Sequence, residues 1–149
     1  GGLFNKETLM VEETMKIPLV IGGIIYPLQR DIGDFASNLD LPATILAAAD
    51  VKPEYAMDGV NLLGGQSREH LICETFGCYK REFQHRMLRW GNYKYIAHEN
   101  DFDEFYNLKT DPFELHNLIH ETEYCRQLEE AKARMLDTAK QYGDSFTVT

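Results

Sequence analysis

Positive charge is in short supply in this sequence. Fifteen Lys and Arg stand against 24 Asp and Glu, giving a net charge of -9 and a pI near 5.0. That balance repels nucleic acid and anionic membrane surfaces at long range, so neither is expected as a partner, although it is compatible with a local anion site. No apolar run reaches the roughly 20 residues of a membrane span, and the first residues lack the basic, apolar and small-residue succession of a signal peptide. The start reads as a cut through a longer protein and leaves the compartment open. Cysteine is sparse too. Cys73, Cys78 and Cys125 are odd in number and irregular in spacing, with no disulfide framework. Cys73 and Cys78 with His70 and His85 supply the ligand types of a zinc site, but the cysteine spacing is not a compact metal knuckle, and small apolar cysteines on strands are the simpler reading. No internal repeat or low-complexity segment occurs.

What the chain does have is apolar and aromatic substance. Hydrophobic residues make up 44% of its 149 residues, with eight Phe and eight Tyr, enough for one folded domain or a small domain plus part of another. The clearest pattern lies in the second half. Met87 to Trp90 and Tyr93 to Ala97 are apolar-rich runs separated only by Gly91-Asn92, a pair that tolerates the positive φ of a two-residue hairpin turn. Asn100 to Asp103 breaks the pattern, and Glu104 to Leu108 resumes it, which predicts a three-strand antiparallel meander. Leu71 to Thr75 reads as a further strand before it. Thr122 to Tyr142 carries Tyr124, Leu128, Ala131, Met135, Ala139 and Tyr142 at helical steps, with Glu121 and Glu123 at its start, Lys140 near its end and Gly143 as a stop. This long helix is expected to lie across the sheet.

The first half reads differently. Ile17 to Ile21 is short, continuously apolar and β-branched, as for a strand buried on both faces of a parallel sheet. Asp40 to Ala49 reads as a helix, with Asp40 accepting from free amides at its start, Pro42 in its first turn and a buried stripe of Leu41, Ile45, Leu46 and Ala49. Lys52-Pro53 stops it, and a boundary is placed near Gly65 to Ser67.

Arg89-x-Gly91-x-Tyr93-Lys94-Tyr95-Ile96, followed by Phe105-Tyr106-x-Leu108-x-x-Asp111-Pro112-x-Glu114-x-x-Asn117-Leu118, resembles the C-terminal signature of the sulfatases, members of the alkaline-phosphatase-like superfamily. The first half is similar too. Lys6, Val11-Glu12-Glu13 and Ile17 to Ile21 match the family's Lys-Gly-x-x-x-Tyr-Glu-Glu segment and last core strand, Ser37 to Leu46 the helix after it, and Asp58-Gly59-x-Asn61-Leu62 its Asp-Gly-x-Ser-Leu loop. Departures are Glu7 for the glycine, Val11 for the tyrosine, Asn61 for the serine and a proline one place early. The resemblance implies an α/β (α+β) fold: residues 1–65 as the last strand and helix of an α/β sulfatase core, and residues 66–149 as a small antiparallel β-sheet packed against a long C-terminal helix.

Hydrolysis of a sulfate ester requires a nucleophile, an acid for the leaving alkoxide, and cations to hold the charge that develops. The resemblance implies that Lys6 contacts sulfate as a compact cation. It also implies that the parent enzyme uses calcium and a formylglycine made from Cys or Ser. No Cys or Ser here is followed by Pro or Ala two residues on and Arg four residues on, and the paired aspartates of the metal site are missing. The expectation is therefore a C-terminal fragment, inactive alone, whose partners are the missing N-terminal catalytic portion and a sulfate ester, small molecule or carbohydrate. A homo-oligomer of the fragment is a further expectation. His70 and His85 are candidates for substrate contact, the alternative being surface or hydrogen-bonded histidines. Glu99 to Glu104 lacks the glycine and ligand spacing of an EF-hand and reads as a solvated turn. Arg86, Arg89 and Lys94 read as charges on a sheet face. The rival readings are a phosphoester or phosphonate ester hydrolase of the same superfamily and a non-catalytic binding or oligomerisation module.

Overall fold

The computed structural model describes residues 9–23, 35–65, 68–77 and 83–148. The chain divides into two units, Gly1–Val20 with Ile72–Thr149, and Ile21–Leu71. Four strands, β1 (His70–Thr75), β2 (His85–Trp90), β3 (Tyr93–His98) and β4 (Glu104–Asn107), lie in the order β1-β2-β3-β4. The β2–β3 hairpin turns at Gly91-Asn92, where Gly91 takes φ +48°, and its register pairs Trp90 with Tyr93 and Met87 with Ile96. β4 continues the antiparallel meander, with Tyr95 opposite Phe105.

Alternation along the strands sends side chains to two faces, and both faces are covered. Leu88, Trp90, Tyr95, Ala97 and Phe105 form one core with Ala131 and Met135 of α2, Cys125–Tyr142. The short N-terminal turn, Glu12–Met15, is α1. Gly143 closes α2 in the left-handed region at φ +69°, and the Asp144 amide bonds the Ala139 carbonyl. The opposite face carries Met87, Ile96 and Tyr106, and there Met10 from the N-terminal segment is buried among them. Arg86 belongs to the α2 face. Its guanidinium donates to both oxygens of Asp144 at 2.6 and 3.0 Å and lies 4.6 Å from the ring centres of Phe76 and Phe146. With the side chain 2% exposed, Arg86 is an internal clamp on the residues after α2, not a charge on an open sheet face.

In the second unit, α3 spans Asp40–Ala48. Its buried positions are Asp40 and Thr44, whereas Ile45 is 65% exposed and Ala49 is exposed, so the expected Leu41, Ile45, Leu46 and Ala49 stripe is not the packed face. Polar pairing decides this. The Asp40 carboxylate accepts from the Ser37 and Val60 amides and from the Arg68 guanidinium, and the Thr44 hydroxyl accepts from the Leu62 amide. Asp40 is the first helical residue, after Leu39, rather than the capping residue before the helix. Burial opposes its ionisation, but Arg68 and the two amides outweigh burial and hold its carboxyl below the ordinary value. The loop arrives so close that a Cβ on Gly59 would sit 1.9 Å from the Leu39 carbonyl oxygen. Ile17 to Ile21 forms no strand, and Val20 is 92% exposed. A parallel strand exists only through ladder bonds to neighbours, and the described residues offer this run none.

Met135→Ala is expected to destabilise the protein by about 2–5 kcal/mol in chemical denaturation, whereas Leu136→Ala, one step round the helix, costs under about 1 kcal/mol. Equal costs would contradict the assigned helix face. Gly59→Ala is expected to cost more than about 1 kcal/mol, because backbone must move to admit the methyl group.

Candidate functional site

Lys6 lies outside the described residues, four positions before Met10. Met10 is apolar and unbranched, and it fills the gap between Met87, Ile96 and Tyr106. Lys94 shares that face, because it alternates with Tyr93 and Tyr95 and stands two positions from Ile96. Its Nζ donates to the Met10 carbonyl at 2.8 Å, to Glu12 Oε1 at 2.8 Å and to Glu114 at 3.0 and 3.1 Å. An ammonium has three donors, and here each has an acceptor, two from the N-terminal segment and one from the turn after β4.

The acceptors are placed for local reasons. Asn107 and Asp111-Pro112 turn the chain after β4. Asn107's carbonyl accepts from the amides of Thr110 and Asp111, and Glu114 takes φ +55°, which aims its carboxylate back at the sheet. Asn117 fastens the far side of this loop, accepting from the Phe105 and Ile119 amides and donating to the Asp103 carbonyl. Glu114 Oε1 also accepts from the Glu12 amide at 2.7 Å. Arg89 completes the group, with Nε 3.4 Å from Glu12 and Nη1 donating to the Gly91 and Tyr93 carbonyls of the hairpin.

Two cations and two carboxylates thus balance in charge. Burial alone would raise the Glu12 carboxyl, but Lys94 and then Arg89 outweigh it and hold it below the ordinary value. Burial wins at Glu114, helped by repulsion from Glu12, and its carboxyl is raised despite the Glu12 amide and Lys94. An open pocket of about 430 Å³ adjoins the cluster, lined in part by Glu13, Lys16, Arg89, Pro112 and Phe113. Lys94 is fully buried, so it too is no open sheet-face charge. The sequence carries the three pieces, Val11-Glu12-Glu13, Tyr93-Lys94 and Asp111-Pro112-x-Glu114, but only the fold brings them into one contact.

The histidines lie elsewhere. His70 is the first residue of β1 and His85 the first of β2. His85 faces His98 across the hairpin with Nδ1 atoms 2.6 Å apart, and His98 Nε2 is 2.8 Å from Glu104, which also accepts from the Tyr106 hydroxyl. His85 is thereby part of a polar chain across three strands. Cys73 sits half-buried on β1 among Met87 and its neighbours, with its thiol pushed up chiefly by burial. Cys78 lies outside the described residues. Among the described residues no three His, Cys, Asp or Glu side chains are grouped to hold a metal ion, and no helix is long and apolar enough to cross a membrane.

The antiparallel meander backed by a C-terminal helix, with an Asp-Pro-x-Glu turn meeting a strand lysine, agrees with the sulfatase C-terminal signature that the sequence resembles. The chain belongs to the family described as N-sulphoglucosamine sulphohydrolase, C-terminal, whose model matches residues 1–141. It is similar to the N-acetylglucosamine-6-O-sulfatase of Bacteroides thetaiotaomicron, 28% identical over 161 residues and covering 97% of this chain and 28% of the relative. An uncharacterized sulfatase of Escherichia coli K12, YidJ, is 26% identical over 151 residues, covering 97% of this chain and 29% of the relative. Among solved structures, a 2-O GAG sulfatase, BT1596, superposes with TM-score 0.68 at 27% identity over 74% of this chain and 27% of that one. Another, BT4656 in complex with its substrate D-glucosamine-2-N,6-O-disulfate, gives TM-score 0.62 at 26% identity over 71% of this chain and 24% of that one. The chain spans less than a third of the length of these relatives.

Burial, and then His98, hold the His85 imidazole below its ordinary value of 6.5, against the pull of Glu104 and Asp101. An unfolded His85 therefore takes a proton first, so its contribution to stability is present above pH 6.5 and is lost as pH falls from 6.5 to the lower folded value. Urea midpoints are expected to fall across that window, and His85→Gln is expected to flatten the slope. An unchanged slope in the variant would assign the effect to another group.

Proposed function

We propose that the full protein carrying this chain hydrolyses sulfate esters, and that Lys6 contacts the sulfate group. The observation that carries the reading is the family match over residues 1–141, which includes the segment holding Lys6. Sulfated glucosamine appears in the names of two relatives, one an N-acetylglucosamine-6-O-sulfatase and one bound to D-glucosamine-2-N,6-O-disulfate, and this supports a sulfated carbohydrate as the substrate class. The chemistry assigned to this chain is electrostatic. The Lys6 ammonium is a compact, strongly hydrated charge that binds non-bridging sulfate oxygens and offsets the negative charge on the group as the S–O bond to the sugar lengthens. The nucleophile, with formylglycine as its expected form, and the calcium ligands are assigned to a portion outside these 149 residues, so the chain alone is expected to be inactive.

The test uses the full-length protein with glucosamine 6-O-sulfate, 4-nitrophenyl sulfate and 4-nitrophenyl phosphate. Sulfate release is expected to exceed phosphate release, and Lys6→Ala is expected to lower kcat/KM for sulfate esters by roughly 10²- to 10³-fold. A preference for the phosphate ester would move the protein to the phosphoester branch of the superfamily. Full activity in Lys6→Ala would remove the lysine from the site.

A further inference from the structure

We infer that Lys94 is a positioning residue for Lys6: by gripping Met10 and Glu12 from the floor of the sheet, it fixes the segment that presents the sulfate-binding ammonium. This inference rests on the reading of Lys6 as a sulfate ligand. Four attachments converge on two residues, Met10 and Glu12. The Met10 side chain is buried among Met87, Ile96 and Tyr106, and the Met10 carbonyl accepts from Lys94 at 2.8 Å. The Glu12 amide donates to Glu114 at 2.7 Å, and the Glu12 carboxylate accepts from Lys94 at 2.8 Å. Only four peptide steps separate Met10 from Lys6, so the covalent chain confines the Lys6 Cα to within about 14 Å of a fixed point, whatever path it takes.

The arrangement is more than the minimum a stable sheet requires. A buried lysine is costly to desolvate, and hydrophobic side chains of similar volume would cover Ile96 and Met87 at least as well. What an apolar residue at position 94 would not supply is direction. Three acceptors around one ammonium fix both the carbonyl and the carboxylate of the incoming segment, whereas apolar packing alone permits sliding. Electrostatic stabilisation of a transferring group depends on such placement, since a displacement of about 1 Å costs on the order of 10²-fold in rate. Lys94 itself touches no substrate. Its effect passes through Glu12 and Met10.

The test compares Lys94→Met, Glu12→Ala and Lys6→Ala in the full-length protein, each well below its own unfolding midpoint. Three quantities are read: kcat and KM on 4-nitrophenyl sulfate, inhibition by inorganic sulfate, and hydrogen exchange of the amides at positions 7–13. Glu12→Ala leaves the buried Lys94–Glu114 pair intact and removes one of the two bonds by which Lys94 holds the segment, so it loosens the segment without leaving Lys94 or Glu114 unpaired, and it carries the test if Lys94→Met does not fold. Both variants are expected to lower kcat/KM roughly 10- to 100-fold, to weaken sulfate inhibition and to speed exchange at positions 7–13, while α2 amides stay protected. If Lys6→Ala is inactive but Glu12→Ala keeps kcat/KM and sulfate inhibition within about twofold of the parent, the positioning role is overturned and the sulfate-ligand reading stands. If Lys6→Ala is fully active, both fall.

Discussion

One fully buried ammonium holds the first unit together. Lys94 lies on the central hairpin, and its three donors reach the N-terminal segment twice and the turn after β4 once. Removing the charge while leaving Glu114 in place would strand a buried carboxylate and leave Glu12 with Arg89 alone, a loss of about 3–5 kcal/mol for breaking a buried pair. The neighbouring choices become intelligible from this point. Glu114 tolerates a left-handed backbone because its carboxylate has a partner that compensates. Arg89 joins Glu12 so that the cluster is neutral, and Asn117 braces the turn that carries Glu114.

On the other face the same logic recurs with different chemistry. Arg86 binds Asp144 bidentately and lies against Phe76 and Phe146, so that the chain after α2 is held to β2 and to the end of β1. A planar, delocalised guanidinium suits a place between two aromatic rings, where a lysine would lose both the stacking and the fork of two hydrogen bonds. Each face of the sheet is thus closed by one buried cation and its carboxylates, with apolar packing around it.

The parts of this fold that are legible in the sequence are those encoded over short distances. Gly91-Asn92 specifies its turn locally, and the Ala131 and Met135 spacing specifies the inward face of α2, with Gly143 as its end. The burial of Lys94 and Arg86 is not legible in this way, because a charge alternating along a strand looks the same whether or not a remote segment covers it. The apolar stripe of α3 misleads for a related reason. Asp40 and Thr44 face inward since Val60, Leu62 and Arg68 bring them partners, and those partners lie 16 or more positions away. Ile17 to Ile21 has a strand's composition without a strand's neighbours. At the candidate site, the signature marked Glu12, Lys94 and Glu114 as separate motif positions, while their union required three-dimensional closure.

The span of that closure bears on how the chain is made. The Lys94–Met10 bond links residues 84 positions apart, and the Glu12–Glu114 bond links residues 102 apart. A growing chain emerges from its N-terminal side, so Met10 and Glu12 are synthesised long before the turn that receives them. At translation rates of about 5–20 residues per second, they wait on the order of 5–20 s for Glu114 to be added. For most of that interval Met10 has no sheet to enter and Glu12 has no cation. The segment next to Lys6 is among the first parts of this chain to be translated, yet its docking waits until the whole meander and the turn after it exist.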